Sequence, residues 1–175
     1  MSKAKSAGKL VSMLRRNQSF LSPAARAQVY LTCIKPIMEY ACPVFVNSAD
    51  YAFSALDRVD ACARRLFPTV TMDTLSLRRD VAGLCVLYSV VHHQAPQLVL
   101  DTIQTTPLPV SRTTRFNEAV NLAALKIPTS RTESHRNSFL CYYARPWNNL
   151  DNATVFAKNA RDFKKRACQE LRAKR

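Results

Sequence analysis

Two prolines interrupt an apolar helical pattern between Tyr30 and Phe45, and no other feature constrains the fold of this chain so strongly. The segment reads YLTCIKPIMEYACPVF, with Pro36 and Pro43 inside it. A proline in a helix interior removes a backbone hydrogen bond and clashes with the preceding turn, at a cost of about 3 kcal/mol. We therefore expect a bent helical element here and not one straight helix.

The rest of the pattern predicts a mainly α-helical protein. Apolar residues make up 47% of the 175 residues, enough to form a hydrophobic core. Two residues are glycine and nine are proline, a balance that favours helices joined by proline-marked turns over sheets with tight hairpins. We expect a helical bundle, then a proline-rich loop region, then two C-terminal helices.

Apolar residues recur every three or four positions in six segments, each of which is expected to be a helix with its stripe in the core. The stripes are Leu10, Val11 and Leu14 within 3–17; Ala25, Val29, Cys33 and Ile37; Leu56, Val59, Ala63 and Leu66; Leu77, Val81, Leu84, Tyr88 and Val91 within 74–93, opposite Arg78 and Arg79; Phe139, Tyr143 and Trp147 within 136–149; and Phe156, Ala160, Phe163, Ala167 and Leu171. Ser22 is the expected N-cap of the second helix, with Pro23 in its first position. Asp60 and Arg64 are expected to pair on the outer face of the third helix, and Gly83 to mark a close helix contact.

These elements divide the chain into four regions. A helical domain is predicted at 1–70 and connecting helices at 71–104, including a short one at 97–103. A loop with short extended pieces follows at 105–132, where Pro107, Pro109 and Pro128 stand. A basic helical region is predicted at 133–175.

The charge of the chain predicts a polyanionic partner. There are 26 Lys and Arg against 12 Asp and Glu, a net charge of +14. Residues 1–70 carry 10 basic and 4 acidic side chains, 131–175 carry 11 and 4, and 71–130 carry only 5 and 4. Nucleic acid attracts such basic segments, because each neutralised phosphate releases condensed counterions.

The candidate nucleic-acid-binding residues are the cations that the predicted helices and the loop present. They are Lys9, Arg15 and Arg16 on the first helix; Arg112 and Arg115 in the loop; Arg131 and Arg136 before the C-terminal helices; and Lys164, Lys165 and Arg172 on the last helix. Phosphate contacts of this kind fix position without reading sequence.

Other functional classes find little support in the sequence. The six cysteines contain no C-x-x-C pair, which predicts free thiols in a nuclear or cytoplasmic protein that is not secreted, and no metal site. No nucleophile motif such as G-x-S-x-G is present. Apolar runs are too short to span a membrane.

Three blocks of residues follow one another along the chain. They are Leu14-Arg15-Arg16-Asn17 through Lys35-Pro36 to Tyr40-Ala41-Cys42-Pro43-Val44-Phe45; Leu56 to Leu66 with its paired arginines; and Arg131-Thr132-Glu133 through Asn137-Ser138-Phe139 and Trp147-Asn148-Asn149-Leu150 to Phe163-Lys164. In this order the blocks resemble the thumb and C-terminal region of a jockey-like non-LTR retrotransposon reverse transcriptase, an RNA-directed DNA polymerase.

This resemblance implies that region 1–70 is thumb-like and grips template RNA and an RNA–DNA hybrid without performing chemistry. The partners it implies are nucleic acid and the fingers and palm of the parent polymerase. That polymerase would use magnesium held by palm aspartates, two of them adjacent in a Tyr-x-Asp-Asp turn. No two acidic residues are adjacent here, so we expect no cofactor in this fragment and no enzymatic activity from it alone.

Two alternatives remain open at this point. Residues 1–38 contain no acidic residue and are rich in Lys, Arg and Ser, which also suits the transit peptide of an organellar protein. A helical scaffold that binds another protein is the other alternative, since a separated thumb would expose apolar surface. Trp147 with Tyr142 and Tyr143 is able to stack a base, but the helical spacing of these aromatic residues favours core packing.

Overall fold

The protein is described by a computed structural model that covers residues 2–46, 50–92, 123–125, 127 and 129–174. These residues are mainly α-helical and contain no β-strand, which confirms the predicted fold class. They form two compact units, Met1–Arg79 and Asp80–Arg175. The predicted helix at 97–103 and most of the predicted loop at 105–132 lie outside the described residues.

The first unit consists of short and medium helices around one hydrophobic core. Its elements are α1 (Ser2–Arg16), α2 (Pro23–Val29), a π-helical turn (Tyr30–Ile34), α3 (Lys35–Glu39), a 3₁₀ turn (Cys42–Phe45), α4 (Asp50–Arg64) and the start of α5 (Leu75–Val91), which continues into the second unit. α1 buries Val11 and Leu14 as predicted. Ser22 caps α2, since its hydroxyl accepts from the Ala25 amide at 3.2 Å, as predicted.

As expected, the proline-containing segment is not one regular α-helix. The π-helical turn Tyr30–Ile34 ends where the amide of Lys35 donates to the Tyr30 carbonyl, five residues back. Pro36 is the second residue of α3, directly after this wider turn, where the regular helical hydrogen-bond pattern is already interrupted. α3 then stops, and Ala41 adopts a left-handed conformation (φ 54°) that leads into the 3₁₀ turn containing Pro43.

The face of this segment that enters the core differs from the predicted one. The buried residues are Ala27, Tyr30, Ile34 and Met38, whereas Cys33 of the predicted stripe is exposed. Both faces carry apolar residues at helical spacing. Because tyrosine, isoleucine and methionine bury more apolar area than the alternative set, the face with the larger side chains packs inward.

The predicted position of Asp60 on the outer face of α4 is wrong. Asp60 is 1% exposed, although its pairing with Arg64 is present at 2.9 Å. Arg78 also reaches this carboxylate, with Nη2 3.1 Å from Oδ1, and Arg79 pairs with Asp57 at 3.0 Å. Arg78 and Arg79 are therefore held in ion pairs, because each has a carboxylate on α4 within reach.

The second unit is built on the end of α5. Four further helices are described, α6 (Glu133–Arg136), α7 (Phe139–Asn148), α8 (Asn152–Val155) and α9 (Ala160–Ala173). α7 and α9 lie within the two C-terminal helices that were predicted, and α6 and α8 are additional short helices. Trp147 and Tyr143 are buried, which confirms their predicted core role. Trp147 Nε1 donates to the Ala123 carbonyl at 3.0 Å, and its ring lies 5.7 Å from that of Phe163.

Gly83 of α5 marks a close contact, as predicted. A Cβ at this position would overlap the ring of Tyr143 on α7. The predicted stripe of the last helix is correct at Phe163 and Ala167 but wrong at Phe156 and Ala160, which are exposed. The helix begins later than expected because the side chain of Asn159 caps it, accepting from the Asp162 amide at 2.8 Å. No helix within the described ranges is long and apolar enough to cross a bilayer.

Candidate nucleic-acid interface

The candidate cations on α1 are all solvent-exposed but face two directions. Lys9 and Arg16 are seven residues apart and lie on one face of the helix, away from the core residues. Arg15 lies instead on the side that faces α4. The structure therefore separates Arg15 from the other two candidates.

Arg15 borders a groove of about 530 Å³ between α1 and α4. From α1 the groove is lined by Gly8, Ser12 and Arg15, and from α4 by Arg58, Cys62 and Arg65. Each set has the spacing i, i+4, i+7, which places its members on one face of its helix. We call this feature the arginine groove.

The three arginines of this groove differ from Arg64, Arg78 and Arg79, which are held in ion pairs. Arg15, Arg58 and Arg65 are exposed, and no carboxylate of the described residues forms an ion pair with any of them. Arg64 and Arg78, in contrast, are held by Asp60. Guanidinium groups without an internal partner can bind phosphate through two parallel hydrogen bonds.

Sequence reasoning missed Arg58 and Arg65. The sequence did contain an indication of them, because Arg58, Cys62 and Arg65 share one face of a helix whose opposite face is apolar. Only the pairing of α4 with α1 shows that this face meets Arg15. The same pairing shows that small side chains, Gly8 and Ser12, leave the space between the three arginines open.

The last helix, α9, carries a second set of exposed cations. Lys164, Lys165 and Arg172 are exposed, and Arg161 extends the line of Lys165 and Arg172 along one face. Arg172 Nη2 lies 4.0 Å from the Cys168 sulfur on the same face. Arg166 does not belong to this face, because its Nη1 donates to the Ala153 carbonyl at 2.6 Å.

The remaining candidates form no cluster with these sets. Arg131 and Arg136 are exposed on either side of the Thr132 cap, whose hydroxyl accepts from the His135 amide at 3.3 Å. Arg112 and Arg115 lie outside the described residues. The α1 and α9 cations belong to different units.

Two titratable groups buried in the first unit, Tyr30 and Cys42, have raised pKa values. Burial, and then the hydrogen bond to Asp60, raises the pKa of Tyr30, and burial raises the pKa of the Cys42 thiol. Both groups are therefore held in their neutral, weakly nucleophilic forms. Among the described residues, no group of three His, Cys, Asp or Glu side chains is placed to hold a metal ion.

Comparison with known proteins adds no assignment: no family model, no curated protein and no solved structure matches the chain. Its function therefore has to be inferred from its own residues and their geometry.

Proposed function

We propose that the chain is the non-catalytic thumb and C-terminal region of a jockey-like non-LTR retrotransposon reverse transcriptase, and that it holds template RNA and RNA–DNA hybrid through backbone phosphates. The observation that carries this proposal is the arginine groove. Arg15, Arg58 and Arg65 present three exposed guanidinium groups along one pair of helices. A net charge of +14 adds long-range attraction for a polyanion.

The chemistry of the groove favours the phosphate backbone over base edges. The charged residues that line the groove are all arginines. The planar guanidinium group of arginine can donate two parallel hydrogen bonds to phosphate oxygens. Exposed Lys9 and Arg16 on the neighbouring face of α1 extend the positive surface. Such contacts supply affinity and position with little sequence preference, as a polymerase needs when every template sequence must pass.

The packing of α1 supports the thumb over a removable transit peptide. Ala7, Val11 and Leu14 of α1 are buried in the core of the first unit. Cleaving the helix would expose the partners of these side chains to water, at a cost of about 25 cal/mol for each Å² of apolar surface. N-terminal sequencing of the protein isolated from cells tests this point, since a mature protein that begins after residue 16 would contradict it.

The proposal is tested by measuring binding to a blunt RNA–DNA hybrid at a series of salt concentrations, with fluorescence anisotropy as the readout. We expect the logarithm of the association constant to fall linearly with the logarithm of the salt concentration. Arg58→Ala and Arg65→Ala should each weaken binding and reduce the steepness of this line by about 1, because each removes about one phosphate contact.

Arg145→Ala is the matched control. Arg145 is an exposed arginine on α7, outside the arginine groove and the α9 set, so its loss removes the same charge without a proposed contact. Circular dichroism verifies that all variants keep their helices. Binding that barely changes with salt, or Arg58 and Arg65 variants that behave like Arg145→Ala, would contradict the proposal.

A further inference from the structure

The turn that follows α3 leaves two aromatic rings in solvent. Tyr40 is 73% exposed and Phe45 is 45% exposed. Their backbone is fixed by the left-handed Ala41 and by Cys42, which is buried and whose thiol donates to the Met38 carbonyl at 3.3 Å. Neighbouring exposed aromatic rings on a well-defined turn are typical of a binding surface.

These rings border a cleft of about 270 Å³ at the N-terminal ends of α1 and α4. Met38, Phe53 and Leu56 form its apolar wall. Lys3 supplies a cation at the cleft, with Nζ 4.3 Å from the centre of the Phe45 ring and 5.2 Å from that of Tyr40. The same Nζ donates to the Tyr40 carbonyl at 2.9 Å, which fixes the ammonium group beside the rings.

The cleft and the arginine groove lie along the same pair of helices. Ala4 and Ala55 line the cleft, whereas Arg15 and Arg65 line the groove. Ala4 and Arg15 are eleven residues apart and on one side of α1, which corresponds to about 16 Å along the helix axis. At about 3.4 Å per nucleotide of a stacked strand, a backbone held in the groove reaches the cleft within about five nucleotides.

We propose that the cleft takes one unpaired base of the bound nucleic acid, stacked against Tyr40 and Phe45. This inference rests on the function proposed above and adds a class of ligand to it, a duplex with a single-stranded extension. The π-face of any base fits an aromatic platform of this kind, and the cation at Lys3 complements the phosphate that accompanies the base. The mixture of aromatic lining and positive charge favours a nucleotide over an uncharged apolar peptide.

The experiment compares a blunt RNA–DNA hybrid with the same hybrid carrying a short single-stranded extension that contains 2-aminopurine. We expect the extension to strengthen binding by about tenfold, the scale of stacking one base on aromatic side chains, and the 2-aminopurine fluorescence to change on binding. Tyr40→Ala and Phe45→Ala should remove both effects and leave binding of the blunt hybrid unchanged.

Phe20→Ala is the control, because Phe20 is an aromatic residue that is 86% exposed and does not line the cleft. Equal affinity for the blunt and extended hybrids would overturn the cleft proposal, as would Tyr40 and Phe45 variants that behave like Phe20→Ala. A change in sedimentation of the Phe45 variant without any effect of the extension would point to a protein partner and would also overturn it.

Failure of the cleft and failure of the proposed function give different results. If the cleft fails alone, the blunt hybrid still binds with a salt dependence that Arg65→Ala reduces. If the proposed function fails, neither hybrid shows this salt dependence.

Discussion

The hydroxyl of Tyr30 donates a hydrogen bond to the carboxylate of Asp60, 30 residues further along the chain, inside the core of the first unit. The same carboxylate accepts from Arg64 Nε at 2.9 Å and from the Leu75 amide at 3.3 Å. Arg78 Nη2 completes the network, 3.1 Å from the carboxylate and 2.9 Å from the Tyr30 oxygen. A buried carboxylate is tolerated only when it is paired and hydrogen-bonded in this way.

Replacing Tyr30 by phenylalanine should destabilise the protein by about 1–3 kcal/mol, because the ring stays while the buried carboxylate and Arg78 lose a hydrogen-bond partner. Urea denaturation followed by circular dichroism measures this difference. Tyr40→Phe is the control, since the Tyr40 side chain is exposed and should change the free energy of unfolding by less than about 0.5 kcal/mol. Equal free energies of unfolding for the two variants would show that the Tyr30 hydroxyl does not stabilise the network.

The two glycines should respond oppositely to alanine. At Gly83 an added Cβ would overlap the ring of Tyr143, which is buried and cannot move away, so Gly83→Ala should destabilise by about 1–3 kcal/mol. At Gly8 the nearest atom to an added Cβ is Val59 Cγ2 at 3.9 Å, so Gly8→Ala should stabilise α1 by up to about 1 kcal/mol. Thermal denaturation of both variants tests the pair. A stable Gly83→Ala protein would contradict the close contact.

Stability should fall at alkaline pH. Burial raises the pKa of Cys42 above its usual value of 9.0, and burial together with Asp60 raises that of Tyr30 above 10.0. The unfolded chain then loses these protons at a lower pH than the folded chain, so the stabilisation is complete below pH 9 and is lost as pH rises through the folded-state values. Urea titrations between about pH 7 and pH 10 measure the fall.

Cys42→Ala should make this alkaline fall smaller, since it removes one of the groups whose pKa burial raises. Cys33→Ala is the control, because Cys33 is exposed. A Cys42 variant whose stability changes with pH as steeply as that of the Cys33 variant would contradict the assignment.

Cys62 should report occupancy of the arginine groove. It is exposed between Arg58 and Arg65, so an alkylating reagent should modify it in the free protein and more slowly when RNA–DNA hybrid is bound. Cys33 is also exposed but does not line the groove, and its rate should not change. Mass spectrometry of the modified peptides gives both rates. Equal protection of the two cysteines would argue against binding in the groove.

Features governed by neighbouring residues were predictable from the sequence. The Ser22 cap and the interruption of the regular helix before Pro36 follow from capping and from the missing proline N–H, both of which are local backbone chemistry. The cost of glycine in a helix predicted a close contact at Gly83, but not its partner Tyr143, which is 60 residues away.

Features that depend on a distant partner were not predictable. Asp60 resembles a surface residue in sequence, because its burial depends on Tyr30 and Arg78, which are 30 and 18 residues away. Phe156 is a local exception: it resembles a core residue, but the cap at Asn159, three residues later, starts the last helix after it. Arg58 and Arg65 belong to a candidate site only because α4 packs beside α1, which carries Arg15.

The network around Asp60 also sets an order of events during synthesis of the chain. Arg78 leaves the ribosome 18 residues after Asp60, a delay of roughly 1 to 4 s at ~5–20 residues per second. During that interval α1, α2 and most of α4 are outside the ribosome and Arg64 follows Asp60 closely, but the carboxylate still lacks the Leu75 amide and Arg78. We therefore expect Asp60 to stay hydrated until the first turn of α5 has left the ribosome, and the first unit to close only after that point.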